Sequence, residues 1–263
     1  MCASRMFWPG ATALAGFGWP FLAEAQEPVV PGKEKMIVRS LRYLDLEMPV
    51  HLLDSWLTPV ELFYVRNHLG QPSVNLAEWR LTVTGEVERP LELTFADLEK
   101  FEPAAVTHTM ECAGNGRAFY RPRVPGIQWT RGGVGNAAFS GPRLADVLRR
   151  AGLKATGKHL AFNGLDEPSG KVPDFIRSIP IEKALHPDTL LATRMNGAPL
   201  TLEHGFPVRA LVPGWLGAAS VKWLIEVQVL DREFDGNFMK PGYRFPTRPV
   251  PAGGDIRDRK SVV

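Results

Sequence analysis

Alternating apolar and polar residues run through much of the chain and predict strands. Residues 79–87 (WRLTVTGEV) have the spacing of a half-buried strand, and 159–164 (HLAFNG) have the continuous apolar character of a buried one. Further strands are predicted over 206–213 (FPVRALVP) and 221–230 (VKWLIEVQVL). The alternation in the last segment places on one face Val221, Trp223, Ile225, Val227 and Val229.

Helical patterns are short. LADVLRRA (144–151) predicts a helix that ends at Gly152, and IPIEKALH (179–186) predicts one that begins at Pro180. Thr94 is expected to cap a helix over FADLEKF, with Asp97 completing a capping box. The 25 glycines and 23 prolines interrupt longer elements. The fold class predicted is therefore α+β, a strand-dominated mixed fold with short helices and long loops.

The longest stretch without clear periodicity is residues 101–141, which contains Cys112 and many glycines. Long ordered loops of this kind are usually functional, so a site is expected there. The net charge is +3, and no run of five basic residues occurs. A nucleic-acid or membrane-surface role therefore has little support, whereas small anionic partners remain possible.

The first 25 residues have the character of a secretory signal: Met6–Leu22 carry no charge, and Ala23-Glu24-Ala25 form a small-x-small cleavage pattern. No twin arginine is present, and a buried N-terminal hairpin is the alternative. Residues 26–60 are expected to form an extended lead-in. Export predicts a periplasmic location and no stable membrane insertion, because the apolar segment is short and interrupted by proline and glycine.

The chain has two cysteines, and a cleaved signal would remove Cys2, which leaves Cys112 without a disulfide partner. Cys112 lies in ECAGNGR (111–117). Its glycines permit close approach of backbone N–H groups to an anionic group, and Arg117 favours the thiolate. Composition alone favours the explanation of Cys112 as a buried, inert thiol.

Six further motifs accompany Cys112 in order along the chain. They are FYVRNH (63–68), FNGLD (162–166), SIP (178–180), RMNGAP (194–199), EHGFPVR (203–209) and PGWLGAASVKWL (213–224). From about residue 60 to 245, this series resembles the molybdopterin domain of the sulfite oxidase family. The resemblance implies that family's fold, with a molybdopterin-binding domain over 61–248 and a tail over 249–263.

The resemblance implies a role for each matching residue. Cys112 would be the one protein ligand of molybdenum, held in molybdopterin without a nucleotide. The expected cofactor contacts are Tyr64, Val65, Arg66, Asn67, His68, Asp166, His204, Arg209, Ser220, Val221 and Lys222. The expected catalytic residues at the substrate are Tyr243, Arg66, Arg117 and Trp129, although the spacing to Trp129 is two residues shorter than in the family.

The implied reaction is oxidation of sulfite to sulfate at a Cys-ligated oxo-molybdenum centre, with two electrons passed to an external acceptor such as a cytochrome c. No CxxCH motif and no room for a haem domain are found, so no haem is expected. The family's dimerisation domain has no counterpart after Tyr243, so a monomer is expected. Two alternatives stay open: the same site reducing a sulfoxide or another oxyanion, and a metal-free binding module.

Each matching residue also has an ordinary structural explanation. His68 and His204 are compatible with structural histidines, Asp166 with a turn, and Tyr243 with a packed loop aromatic. The Gly132–Gly135 segment lacks the strand and acidic residue of a dinucleotide loop, and the histidines lack zinc-site spacing. The order of all seven motifs favours the shared functional explanation.

Overall fold

The computed structural model of the protein describes residues 30–240, 243–246 and 259–261. The predicted signal segment lies outside these residues. The strands are β1 (Ile37–Ser40), β2 (Asp45–Glu47), β3 (Leu81–Gly85), β4 (Leu91–Leu93), β5 (Pro103–Glu111), β6 (Val134–Pro142), β7 (His159–Gly164), β8 (Arg177–Pro180), β9 (Leu190–Ala192), β10 (Arg194–Met195), β11 (Ala198–Pro199), β12 (Arg209–Leu211), β13 (Leu224–Leu230), β14 (Arg244–Pro246) and β15 (Arg259–Ser261). The α-helices are α1 (Phe95–Leu98), α2 (Leu144–Ala151) and α3 (Ile181–Ala184). This strand-rich arrangement with short helices confirms the predicted fold class.

A five-stranded sheet in the order β4-β3-β13-β7-β8 supports the largest core. Strand β13 runs parallel to β3, and the other pairs are antiparallel. The predicted strands over 79–87, 159–164 and 221–230 are confirmed as β3, β7 and β13. The predicted apolar face of β13 is wrong at its start, because Trp223 has a positive φ of 50° and a bulge follows Leu224. Leu224 is consequently buried and Ile225 only half-buried.

A four-stranded sheet in the order β11-β10-β6-β5 includes a long antiparallel hairpin. The absence of periodicity over 101–141 was therefore misleading, since β5 and β6 occupy both ends of that stretch. The inward positions of β5 include Ala104 and His108, which are not the large apolar residues that reveal a strand in sequence. The hairpin shortens the predicted functional loop to residues 112–133.

The helix caps follow from local chemistry. Thr94 and Asp97 exchange hydrogen bonds in the predicted capping box, and Gly152 ends α2 with a φ of 74°. Helix α3 is shorter than expected: Pro180 precedes it as the last residue of β8. No helix among the described residues is long and apolar enough to cross a bilayer.

The lead-in packs on the rest of the molecule. Strands β1 and β2 form a hairpin, and Leu46 pairs with Val65 across a β-bridge. The backbone N–H of Met48 donates to the carbonyl of Gly132, at the end of the loop that begins with Cys112. The lead-in therefore contacts the FYVRNH motif and the end of the loop that begins with Cys112.

Candidate functional site

One cavity collects most of the predicted site residues. It is lined by residues at or next to the ends of strands in both larger sheets, such as Met110 of β5, Asp166 after β7 and Trp223 before β13. The predicted residues that line it are Tyr64, Arg66, Asn67, His68, Cys112, Asp166, His204, Arg209, Ser220, Val221, Lys222 and Tyr243. Segments widely separated in the sequence thus meet around one thiol.

Cys112 immediately follows β5 and is held by backbone hydrogen bonds. Its N–H donates to Gly133 O, and the N–H of Gly114 donates to Sγ at 3.4 Å. Burial raises the pKa of the Cys112 thiol, while the Gly114 N–H and the nearby guanidinium groups of Arg66 and Arg117 act in the opposite direction. The cations near Cys112 thus favour the thiolate, but burial outweighs them and the pKa of the free thiol lies above its ordinary value.

Glu47 connects the β1–β2 hairpin to the same loop. Its carboxylate is fully buried and accepts from the backbone N–H groups of Thr130 and Gly132, at 3.0 and 2.9 Å, and from Nε of Arg39 at 2.6 Å. Burial pushes the pKa of Glu47 upward, but these hydrogen bonds outweigh it and the pKa lies below its ordinary value. An ionised carboxylate therefore anchors the end of the loop that starts at Cys112.

Arg66 is fixed by two neighbours. Its guanidinium forms an ion pair with Asp45 at 3.1 Å and also donates to Asn67 O. Burial raises the pKa of Asp45, although Arg66 and Lys222 oppose that rise. Arg66 remains partly exposed and lines the cavity, so it can present donors to an anion.

His68 lies in an aromatic cluster. Its ring stacks on Phe175 with centroids 4.0 Å apart, and Nε2 is hydrogen-bonded to the hydroxyl of Tyr243. Burial and the surrounding cations hold the pKa of His68 well below its usual range, and burial raises the pKa of Tyr243 to about 12. A neutral imidazole and a protonated phenol are therefore paired at neutral pH.

Buried cations line the other part of the cavity. Arg209 donates to His204 O and Ser220 O, and Lys222 donates to Asn67 Oδ1 and Glu203 O. Burial lowers the pKa of Arg209 to about 10 and lowers that of Lys222 well below its usual range. Burial raises the pKa of Asp166 to about 6. Removing these cations from water is costly, which favours an anionic occupant.

His204 is 2% exposed and receives an unexpected neighbour from the lead-in. Nζ of Lys33 lies 2.9 Å from its Nε2 and also donates to the carbonyls of Val60 and Phe63. Lys33 is 6% exposed. Burial and neighbouring cations hold the pKa of His204 well below its usual range.

Three predicted site residues do not line the cavity. Val65 belongs to the small core around Leu46. Arg117 donates to Ile127 O within the loop, and Trp129 is fully buried with its ring edge-on to Tyr64. Arg117 and Trp129 both belong to the loop of residues 112–133, and their assignment to the substrate stays a prediction.

Sequence reasoning missed Lys33, Asp45 and Glu47. In the lead-in, Asp45 and Glu47 alternate with Leu44, Leu46 and Met48, and an alternating strand normally exposes its polar side chains. Here both acids are buried against donors from distant segments. The signal available in the sequence was the number of ionisable residues in the short lead-in. Across the described ranges, no group of three His, Cys, Asp or Glu side chains is placed to hold a metal ion.

Comparisons with known proteins identify the family of this chain. The family model for the oxidoreductase molybdopterin binding domain matches residues 68–238. Sulfite oxidase of Gallus gallus is 40% identical over 86% of this chain and 51% of its own length, and that of Arabidopsis thaliana is 38% identical over 84% and 60%.

A solved structure, the sulfane dehydrogenase SoxCD from Paracoccus pantotrophus, matches with a TM-score of 0.76 and 30% identity over 95% of this chain and 63% of that one. The chain thus spans between half and two thirds of the length of these relatives. The predicted family resemblance is confirmed: the chain belongs to the family of oxidoreductase molybdopterin-binding domains that includes the sulfite oxidases.

Proposed function

We propose that this domain oxidises sulfite to sulfate at molybdenum bound by Cys112 and passes the electrons to an external acceptor such as a cytochrome c. The observation that carries the proposal is the joint lining of one cavity by the Cys112 thiol, the cations Arg66, Arg209 and Lys222, and the Tyr243 phenol. The sulfite oxidase relatives support the choice of substrate.

The residues present fit a molybdopterin cofactor. An anionic phosphate suits Arg209 and Lys222, because buried cations without a full counter-charge gain from an anion. The side-chain amide nitrogen of Asn67 is buried without a hydrogen-bond partner among the described residues, and it lies at the cavity. We therefore assign the phosphate and pterin to the Asn67–Arg209–Lys222 side and the metal to Cys112.

When bound, the molybdenum cofactor supplies the two-electron redox chemistry. Cys112 contributes a thiolate, and the raised pKa of the free thiol means that it gives up a proton when it binds metal. Arg66 attracts the sulfite dianion and orients it, while Asp45 fixes the guanidinium. Tyr243 holds its proton and offers it as a hydrogen bond. Overall, sulfite and water give sulfate, two protons and two electrons.

An exported protein without covalently attached haem would need an external electron acceptor. The sequence basis for this part of the proposal is the apolar segment before Ala25 and the lack of a CxxCH motif. An acceptor in solution would collect the electrons one at a time.

Reduction of an oxyanion or a sulfoxide is the second candidate. It is favoured by the position of Arg117, which is bonded to Ile127 O and does not line the cavity, and by the aromatic lining of Phe63 and Phe175. A less cationic and more apolar pocket suits a neutral sulfoxide, and it does not favour another oxyanion. A metal-free binding module would have no use for the Cys112 thiol in this cavity.

Elemental analysis of the purified protein tests the metal assignment. We expect about one molybdenum per chain in the wild type, none in Cys112→Ser, and the wild-type content in the exposed control Glu99→Ala. Sulfite-dependent reduction of added cytochrome c then tests the substrate. A wild-type protein without molybdenum would contradict the proposal, and activity only with reduced viologen and a sulfoxide would favour the reductase.

A further inference from the structure

Lys33 is a buried cation that the proposed chemistry does not use. It comes from the lead-in, and its ammonium reaches three acceptors: Val60 O, Phe63 O at 3.3 Å and His204 Nε2 at 2.9 Å. An ammonium has three N–H donors and no acceptor, so these partners use all of them. Burial lowers the pKa of Lys33 to about 8, with Glu203 and Glu61 opposing, which leaves it charged at neutral pH.

The Lys33 contact determines where His204 carries its proton. A donor-only ammonium requires Nε2 of His204 to accept, and a neutral imidazole that accepts at Nε2 carries its hydrogen on Nδ1. Arg209 and Lys222 also oppose a second proton on the ring. Val60 O lies 3.3 Å from Nε2 and is the acceptor that would favour the opposite tautomer.

We propose that Lys33 is a positioning residue that holds His204 as the neutral Nδ1–H tautomer, so that this ring donates a hydrogen bond to the anionic group of the cofactor. His204 is one of the residues lining the cavity, beside Arg209 and Lys222. The inference deepens the proposed function and rests on it for the identity of the anion. The tautomer itself depends only on this chain.

Histidine ¹⁵N NMR tests the tautomer, because two-bond ¹H–¹⁵N correlations distinguish the Nδ1–H, Nε2–H and doubly protonated rings. The His204 resonance is identified by its loss in His204→Gln. We expect Nδ1–H in the wild type and in Lys35→Met, an exposed neighbouring lysine that serves as the control. In Lys33→Met we expect Nε2–H, with Val60 O as the new acceptor. Lys33→Arg keeps a cationic donor and should retain Nδ1–H.

Release of the pterin provides the second readout. In purified holoprotein, Lys33→Met should lose its fluorescent pterin about ten- to hundredfold faster than the wild type, whereas Lys35→Met should match the wild type. A wild-type ring with Nε2–H or a positive charge would overturn the inference. So would unchanged Nδ1–H in Lys33→Met, since any faster release would then reflect packing alone.

These outcomes separate the inference from the proposed function. If the wild-type preparation contains no molybdenum or pterin but the tautomer changes as expected, the proposed function fails and the control of His204 by Lys33 stands. If the cofactor is present and His204 does not respond to Lys33, only the inference fails. A Lys33→Met variant that does not fold leaves the wild-type and Lys33→Arg spectra to decide.

Discussion

At the scale of single residues, side chains that line the cavity are held in place by hydrogen bonds and ring contacts with neighbouring side chains. Tyr243 shows this most clearly, because its hydroxyl is bonded to His68, and His68 is stacked on Phe175. Arg177 lies over the Tyr243 ring, 5.0 Å from its centroid. The phenol is thus fixed in position as well as held protonated.

Tyr243→Phe should lower kcat/KM for sulfite about ten- to hundredfold, because it removes one hydrogen-bond donor and retains the ring. Steady-state kinetics with cytochrome c measure the effect. Molybdenum content serves as the control and should equal that of the wild type. An unchanged kcat/KM would show that the hydroxyl does not contribute to turnover.

The sequence could identify residues that belong to a motif. It could not identify the residues outside the motifs that hold the site in place. The ordered motifs led to Cys112 and to the cavity around it. Lys33 and Glu47 belong to no motif, and their importance depends on burial against partners that are distant in sequence, Lys33 against His204 and Glu47 against Thr130. Such pairings depend on tertiary structure and leave no periodic signal.

At the scale of elements, the β1–β2 hairpin secures the Cys112 loop. Glu47 is the connection, because its carboxylate accepts hydrogen bonds from the backbone N–H groups of Thr130 and Gly132 in that loop. Elements with clear periodicity, such as β3 and α2, could be predicted. Strand β5 could not, because an inward histidine and small residues concealed its alternation.

Glu47→Gln should destabilise the protein by about 2–4 kcal/mol, because it removes a buried charge that balances Arg39. The new side chain also has an amide N–H group, which cannot accept hydrogen bonds from the backbone N–H groups of the loop. Denaturant unfolding gives the magnitude. Hydrogen exchange should quicken over residues 112–133 more than in β7. Glu99→Ala, at an exposed position, is the control. Uniformly faster exchange would argue against a local anchor.

At the scale of the whole molecule, three buried imidazoles make the fold sensitive to acid. Burial is the main cause that lowers the pKa of His68, His108 and His204, and it brings that of His108 to about 4. Below the ordinary histidine pKa of about 6.5, these three histidines bind protons in the unfolded chain but stay neutral in the folded chain. The free energy of unfolding therefore falls as the pH falls. Asp166 has the opposite effect on stability. Because its pKa is raised in the folded state, its protonation as the pH falls favours the folded state.

His108 isolates this effect because it is buried outside the cavity. Its stabilising contribution as a neutral ring is complete above about pH 6.5 and is lost between there and about pH 4, an integrated loss of about 3 kcal/mol. Urea unfolding of His108→Gln should therefore show a shallower decline over that range than the wild type. The exposed His51→Gln should follow the wild type. Equal slopes for all three proteins would show that the pKa of His108 is the same in the folded and the unfolded chain, and would contradict the prediction.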